Sequence, residues 1–162
     1  MKNLIHIFLL GIVFCGSAQE TIEDVLKKYN LNSIRYIKVE KLATINDFLI
    51  LDSREPVEYN VSHIKNALLV GYDHFDLEAT VTQLEDKKQA IVVYCSVGVR
   101  SEDIAHRLKK AGYKNVYNLY GGIFEWKNNG YPVFDSTETE TEKVHVFSQF
   151  WGTFLKKGKK VY

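Results

Sequence analysis

Residues Ala90–Ser101, AIVVYCSVGVRS, leave the chain few choices. Five apolar residues run without a break from Ala90 to Tyr94, rich in β-branched types, and such a run reads as a strand buried on both faces. Cys95 follows at the strand's carboxyl end, then a short turn carrying Gly98. After Arg100 the period changes. Ile104, Ala105, Leu108 and Ala111 recur at helical spacing, with Glu102, Asp103, Arg107, Lys109 and Lys110 mostly on the other side. The chain must therefore turn tightly between a core strand and the start of a helix, with a thiol in the turn. Ligand crevices of open α/β sheets lie at such strand ends.

That setting suits an anion. Gly98 lets the backbone approach closely, with no Cβ in the way. Successive N–H groups in a glycine-containing turn form a cup that holds negative charge. Arg100 adds a planar cation with five donors. A lone cysteine is more commonly a plain core residue, but core cysteines rarely have Gly and Arg three and five positions on, ahead of a helix. The loop is built to hold a thiolate, or something anionic attached to it.

The rest of the chain alternates. Thr21 is placed to cap a helix running to Tyr29, with Glu23 and Asp24 in its first turn. Strands are expected at Ile34–Val39, Phe48–Leu51, Ala67–Val70 and Val116–Leu119, besides Ala90–Tyr94. Pro56 suits the first turn of a short helix. Phe75, Leu77, Val81 and Leu84 suggest another helix, Gly112 ends the one after Arg100, and Gly121-Gly122 open a last one through Trp126. Strands alternating with helices predict an α/β domain around a mostly parallel sheet.

The two ends differ from this middle. Lys2 precedes an apolar run, Leu4–Phe14, that is too short for the ~20 residues a bilayer span needs. It ends in Gly16-Ser17-Ala18, small where a signal peptidase requires it, so residues 1–18 read as a secretory signal peptide and the mature chain as periplasmic or secreted. A lipoprotein anchored at Cys15 is the alternative, although bulky Phe14 suits that processing poorly. Cleavage removes Lys2 and no acid, leaving 20 basic against 20 acidic side chains, a balance that offers no electrostatic case for nucleic acid. It also leaves Cys95 as the only cysteine, which therefore has no partner for an internal disulfide. At the other end, residues 135–143 read as an exposed acidic linker. Residues 144–162 form an aromatic and basic extension, expected as a terminal helix laid on the domain, with contact to anionic lipid or a partner as the alternative.

Four pieces of the chain, in this order, resemble the rhodanese-like family in its single-domain form. They are Leu51-Asp52-Ser53-Arg54 with Glu58-Tyr59 and His63-Ile64-Lys65-Asn66-Ala67; then Cys95-Ser96-Val97-Gly98-Val99-Arg100-Ser101; then Ala111-Gly112-Tyr113-Lys114-Asn115-Val116-Tyr117; and last Leu119-Tyr120-Gly121-Gly122-Ile123 with Trp126 and Gly130-Tyr131-Pro132-Val133. The resemblance covers a motif core at 34–133 within a domain at 19–134. It implies about five strands with helices on both faces, and a cysteine that accepts a sulfane sulfur as a persulfide and passes it on. Two positions depart from the family's pattern. Ser62 precedes His63 where many members have glycine. Ser96 directly follows the cysteine, where many sulfurtransferases have a basic residue, which weighs against thiosulfate as a fast donor.

On this resemblance Cys95 is the nucleophile. The backbone of Ser96, Val97, Gly98, Val99, Arg100 and Ser101 holds the persulfide's charge, and Arg100 orients the loop or the donor. Asp52 is a candidate for lining the crevice. Arg54 with Glu58 is expected as a structural ion pair, and His63 as a structural histidine. His74, His106 and His145 lack metal-site spacing, so neither metal nor cofactor is expected. The expected partners are a small sulfur donor and a thiol or cyanide acceptor, with the chain a monomer. Two other classes stay open. Cysteine phosphatases share a similar fold with a loop one residue longer, whereas here four residues separate Cys95 from Arg100. A non-catalytic interaction module is the other.

Overall fold

The computed structural model describes residues 20–84 and 86–162. The expected signal peptide, its cleavage site and Cys15 lie outside the described residues. Five parallel strands make the central sheet: β1 (Arg35–Ile37), β2 (Leu49–Asp52), β3 (Leu68–Leu69), β4 (Ala90–Tyr94) and β5 (Asn115–Leu119), in the order β1-β5-β4-β2-β3. β4 is the middle strand, and the alternation of its side chains explains its unbroken apolar run. Ile91 and Val93 enter one core, Val92 and Tyr94 the other. Burying each such side chain contributes roughly 1.5–3 kcal/mol, so neither face of β4 can tolerate a polar residue cheaply.

Helices cover both faces. α4 (Leu77–Gln83) and α5 (Arg100–Lys110) close one core, with Val81, Ile104, Ala105 and Leu108 packed on Ile91 and Val93. α1 (Ile22–Tyr29), α2 (Val39–Ala43) and α6 (Gly122–Asn128) close the other, through Val25, Val39, Leu42, Ile123, Phe124 and Trp126. α1 starts at a capping box in which Thr21 and Asp24 exchange side-chain and backbone bonds. α3 (Pro56–Val61) follows β2 directly, with Pro56 in its first turn. The five-stranded α/β architecture is the one anticipated. The first strand is shorter than expected, because Val39 opens α2 instead of closing β1.

The C-terminal segment differs from its expectation. Residues 135–143 are mostly exposed but ordered as a hairpin: β6 (Val133–Phe134) pairs antiparallel with β7 (Glu140–Thr141), and the Asp135 side chain caps the turn by accepting from the Thr137 and Thr139 N–H groups. Beyond it, β8 (Lys143–His145) and β9 (Lys159–Val161) form a parallel pair joined through α7 (Gln149–Gly152), so the expected terminal helix is a single turn between two strands. Val144, Val146, Phe154 and Leu155 are buried in the same core as α1 and α6. No helix among the described residues is long and apolar enough to cross a membrane.

Candidate active site

The parallel sheet delivers Cys95 to the carboxyl edge of its central strand, and the turn to α5 wraps around the sulfur. The Gly98 N–H donates to Cys95 Sγ at 3.1 Å, and the Ser101 hydroxyl lies 3.5 Å from it. Gly98 takes φ +107, and its carbonyl accepts from two side-chain amides, Asn30 at 2.9 Å and Asn118 at 2.8 Å. Asn118, wholly buried on β5, also accepts the Ser101 hydroxyl at 2.7 Å. Among the described residues, no acceptor meets the N–H groups of Ser96, Val97 and Val99.

The loop rests on α6. The Ile123 and Phe124 N–H groups donate to the Cys95 and Ser96 carbonyls at 2.9 and 3.1 Å. That contact explains Gly122: a Cβ there would stand 2.2 Å from the Cys95 carbonyl oxygen, on a backbone already at φ +55. The Gly121-Gly122 pair reads in sequence as a helix start; its closeness to the cysteine loop has no local signal.

The charged residues pair differently from the sequence expectation. Arg54 does not bond Glu58. It turns to Asp52 with its Nε and NH2 groups, the shortest contact being 2.6 Å, and both side chains are fully buried. Tyr94 donates its hydroxyl to the same carboxylate at 2.6 Å, and Arg54 also donates to the Ser62 carbonyl. Asp52 therefore does not line the crevice; it is sealed beneath it, fixing the ends of β2 and β4 together. Arg54 lies before Glu55, the residue ahead of the helix, so it is not a helical neighbour of Glu58.

Glu58 is instead free for Arg100. NH1 and NH2 of Arg100 reach the two oxygens of Glu58 at 2.7 and 2.8 Å, and NH2 also donates to Ser96 Oγ at 3.1 Å. Burial pushes the Glu58 carboxyl up, but the hydrogen bonds and charge of Arg100 outweigh it and hold the group below its ordinary value. Burial likewise disfavours the Arg100 cation, and the Glu58 bonds and the nearby Cys95 sulfur more than restore it. Arg100 is thus tied into the loop's frame. His63 is structural: buried, stacked on Tyr59 at 3.9 Å, with Nδ1 at the Tyr59 carbonyl and Nε2 at Glu138. Among the described residues, no group of three or more His, Cys, Asp and Glu is placed to hold a metal ion.

Cys95 is 1% exposed, at the floor of a cavity of about 220 Å³. Ser96, Val97, Val99 and Arg100 come from its own loop and helix. The chain matches the Rhodanese-like domain family over residues 38–129.

The chain belongs to the rhodanese-like family.

The rhodanese-like domain is 40% identical over 98 residues to a tRNA uridine(34) hydroxylase of Hamiltonella defensa subsp. Acyrthosiphon pisum (strain 5AT), a match covering 57% of this chain and 28% of that protein. The chain thus spans under a third of that curated relative's length. Among solved structures, a rhodanese-related protein from Thermoplasma volcanium aligns with a TM-score of 0.53 at 28% identity, over 61% of this chain and 96% of that one. The rhodanese-like domain of an Anabaena sp. protein aligns with a TM-score of 0.57 at 27% identity, over 64% and 81%. The family match ends before β6, so the hairpin and the β8–α7–β9 segment lie beyond it.

Proposed function

We propose that this chain is a sulfurtransferase that carries a sulfane sulfur on Cys95 as a persulfide. The observation that carries the reading is the Gly98 N–H aimed at Cys95 Sγ in a loop whose Ser96, Val97 and Val99 N–H groups have no acceptor among the described residues. An added sulfur with its negative charge meets preorganised donors there, as an oxyanion does in acyl transfer. Cys95 attacks the outer sulfur of a donor, the donor's S–S bond breaks, and its remainder leaves with the bonding electrons. A nucleophile such as cyanide or a thiol then takes the outer sulfur and returns the thiolate. Arg100, bound to Glu58, holds the cradle's shape.

The test offers thiosulfate, polysulfide and a mercaptan donor in turn and weighs the intact protein. A gain of one sulfur that disappears with cyanide and never forms in Cys95→Ser is the expected result. Hydrolysis of a phosphate ester without loading would favour a phosphatase, and an inert Cys95 would favour an interaction module. The identity to tRNA uridine(34) hydroxylases supports a second reading, in which this domain serves tRNA modification; tRNA binding in a filter assay would favour it. The near-equal count of acidic and basic side chains favours small-molecule partners. Export after cleavage near Ala18 completes the proposal, and a lipid on Cys15 by mass analysis would replace it.

A further inference from the structure

Two aromatic residues from the C-terminal segment, Phe147 and Trp151, line the same cavity as Cys95, together with Tyr72. They come from outside the stretch that matches the family. Phe147 has no core role: 63% of it is exposed, and its backbone takes φ +62, a region a bulky side chain rarely visits. The position is nonetheless built. The Phe147 N–H donates to His145 Nδ1 at 3.2 Å, the Ser148 N–H donates to the Val146 carbonyl, and Ser148 caps α7, which carries Trp151. Buried Val146 anchors the turn on one side, and Gly152, packed on Val146, anchors it on the other.

Apart from the loop N–H groups that face the sulfur, the side-chain charges on the cavity wall add no attraction for an anionic donor. Among the described residues the lining cation is Arg100, which is bound to both oxygens of Glu58. Two further carboxylates, Glu55 and Asp73, stand on the wall, and Glu55 is held there by the N–H groups of Tyr72 and Asp73 at 3.2 and 3.0 Å. Ser96 puts a hydroxyl beside the thiol where a cation would draw anionic donors. The volume equals roughly seven waters at ~30 Å³ each, which leaves room for an organic group beside the reacting sulfur.

We infer that the donor loading Cys95 is an organic persulfide, R–S–SH, whose R group carries no negative charge and lies with its apolar surface against Phe147 and Trp151. This rests on the sulfurtransferase reading and names its substrate class. The Cys95 thiolate bonds to the outer sulfur, and the donor's S–S bond breaks with its electron pair staying on R–S. The proton on the transferred sulfur passes to that thiolate, so the products are R–SH and the Cys95 persulfide anion. No external oxidant or reductant is needed.

The experiment compares loading rates of the full chain from benzyl persulfide, the persulfide of cysteamine, and thiosulfate, read by intact mass, in wild type and Phe147→Gly. Glycine suits φ +62, so that variant keeps the fold. Expected is faster loading per molar from both organic persulfides than from thiosulfate. The aromatic donor should lose at least about tenfold more than thiosulfate does in Phe147→Gly, as apolar pocket contacts discriminate. Thiosulfate loading as fast as the organic donors, or a Phe147→Gly change equal for all three, would overturn the inference alone. If no donor loads Cys95, the sulfurtransferase reading fails and takes this inference with it. Alkylation by iodoacetate against an N-aryl iodoacetamide gives a check independent of sulfur chemistry. A preference for the aryl reagent that Phe147→Gly removes supports the aromatic wall, and equal rates count against it.

Discussion

Arg100 and Glu58 meet end-on, two nitrogens to two oxygens at 2.7 and 2.8 Å, and this contact ties the start of α5 to α3 across the cysteine loop. A planar guanidinium and a carboxylate held this way fix orientation as well as distance. The Ser96 hydroxyl lies within reach of both partners, so the residue beside the thiol is part of the same clamp.

Loosening the clamp should show first in activity. Glu58→Gln keeps the shape of the side chain but removes its charge, and the loop is expected to lose alignment on Cys95. Sulfur loading of Cys95 should slow by up to about 10²-fold, as small misplacements of catalytic groups do. Single-turnover mass measurements would check this, and an unchanged rate would confine Glu58 to stability.

The same pair sets an acid limit. Since the folded-state value of Glu58 lies below the ordinary one, its contribution to stability is complete above about pH 4.3, the ordinary glutamate value. It is lost as pH falls through the lowered value. Denaturant unfolding of wild type and Glu58→Gln should differ at pH 7 and converge well below pH 4.

Arg54→Met leaves Asp52 charged and buried without its cation. Removing one partner of a buried pair costs about 3–5 kcal/mol, so the melting temperature should fall sharply. Replacing Asp52 as well, with Asn, should recover part of the loss. A melting temperature unaffected by Arg54→Met would mean that the pair adds nothing to the fold.

Gly122→Ala is expected to be worse than its single methyl suggests. The new Cβ would strike the Cys95 carbonyl, at 2.2 Å, and the positive φ adds roughly 1–2 kcal/mol for a residue with a side chain. Circular dichroism should show a lower melting temperature, and Cys95 should alkylate at an altered rate because its loop has shifted. Gly71→Ala, where a Cβ meets nothing within 4 Å although φ is also positive, is the control for the backbone effect alone.

The central strand, the cysteine turn and α5 were legible because their signals are local: an unbroken apolar run, a glycine, then a change of period. The ion pairs were not. Arg54 and Glu58 are spaced as helical neighbours, but Arg54 sits before the helix begins, where that spacing means nothing, and only the fold brings Arg100 to Glu58. The C-terminal segment misled for a related reason. Phe147, Phe150, Trp151 and Phe154 recur at helical intervals, while the decisive signal was Val144 and Val146, alternating into the core at strand spacing. Phe147 and Trp151 stand some fifty positions from Cys95, and no window along the chain could have joined them.

The two bonds from the start of α6 to the cysteine loop give the protein an internal gauge. The backbone amide hydrogens of Ile123 and Phe124 are held by the Cys95 and Ser96 carbonyls, in residues that are fully buried. They can trade with deuterium only when the loop lifts from the helix or the domain opens as a whole. Their exchange, compared with that of Val92 and Val93 in β4, therefore separates local lifting from global unfolding. A ligand seated on the sulfur that pins the loop to the helix would slow those two amides while leaving Val92 and Val93 unchanged, reporting occupancy without a label or a turnover.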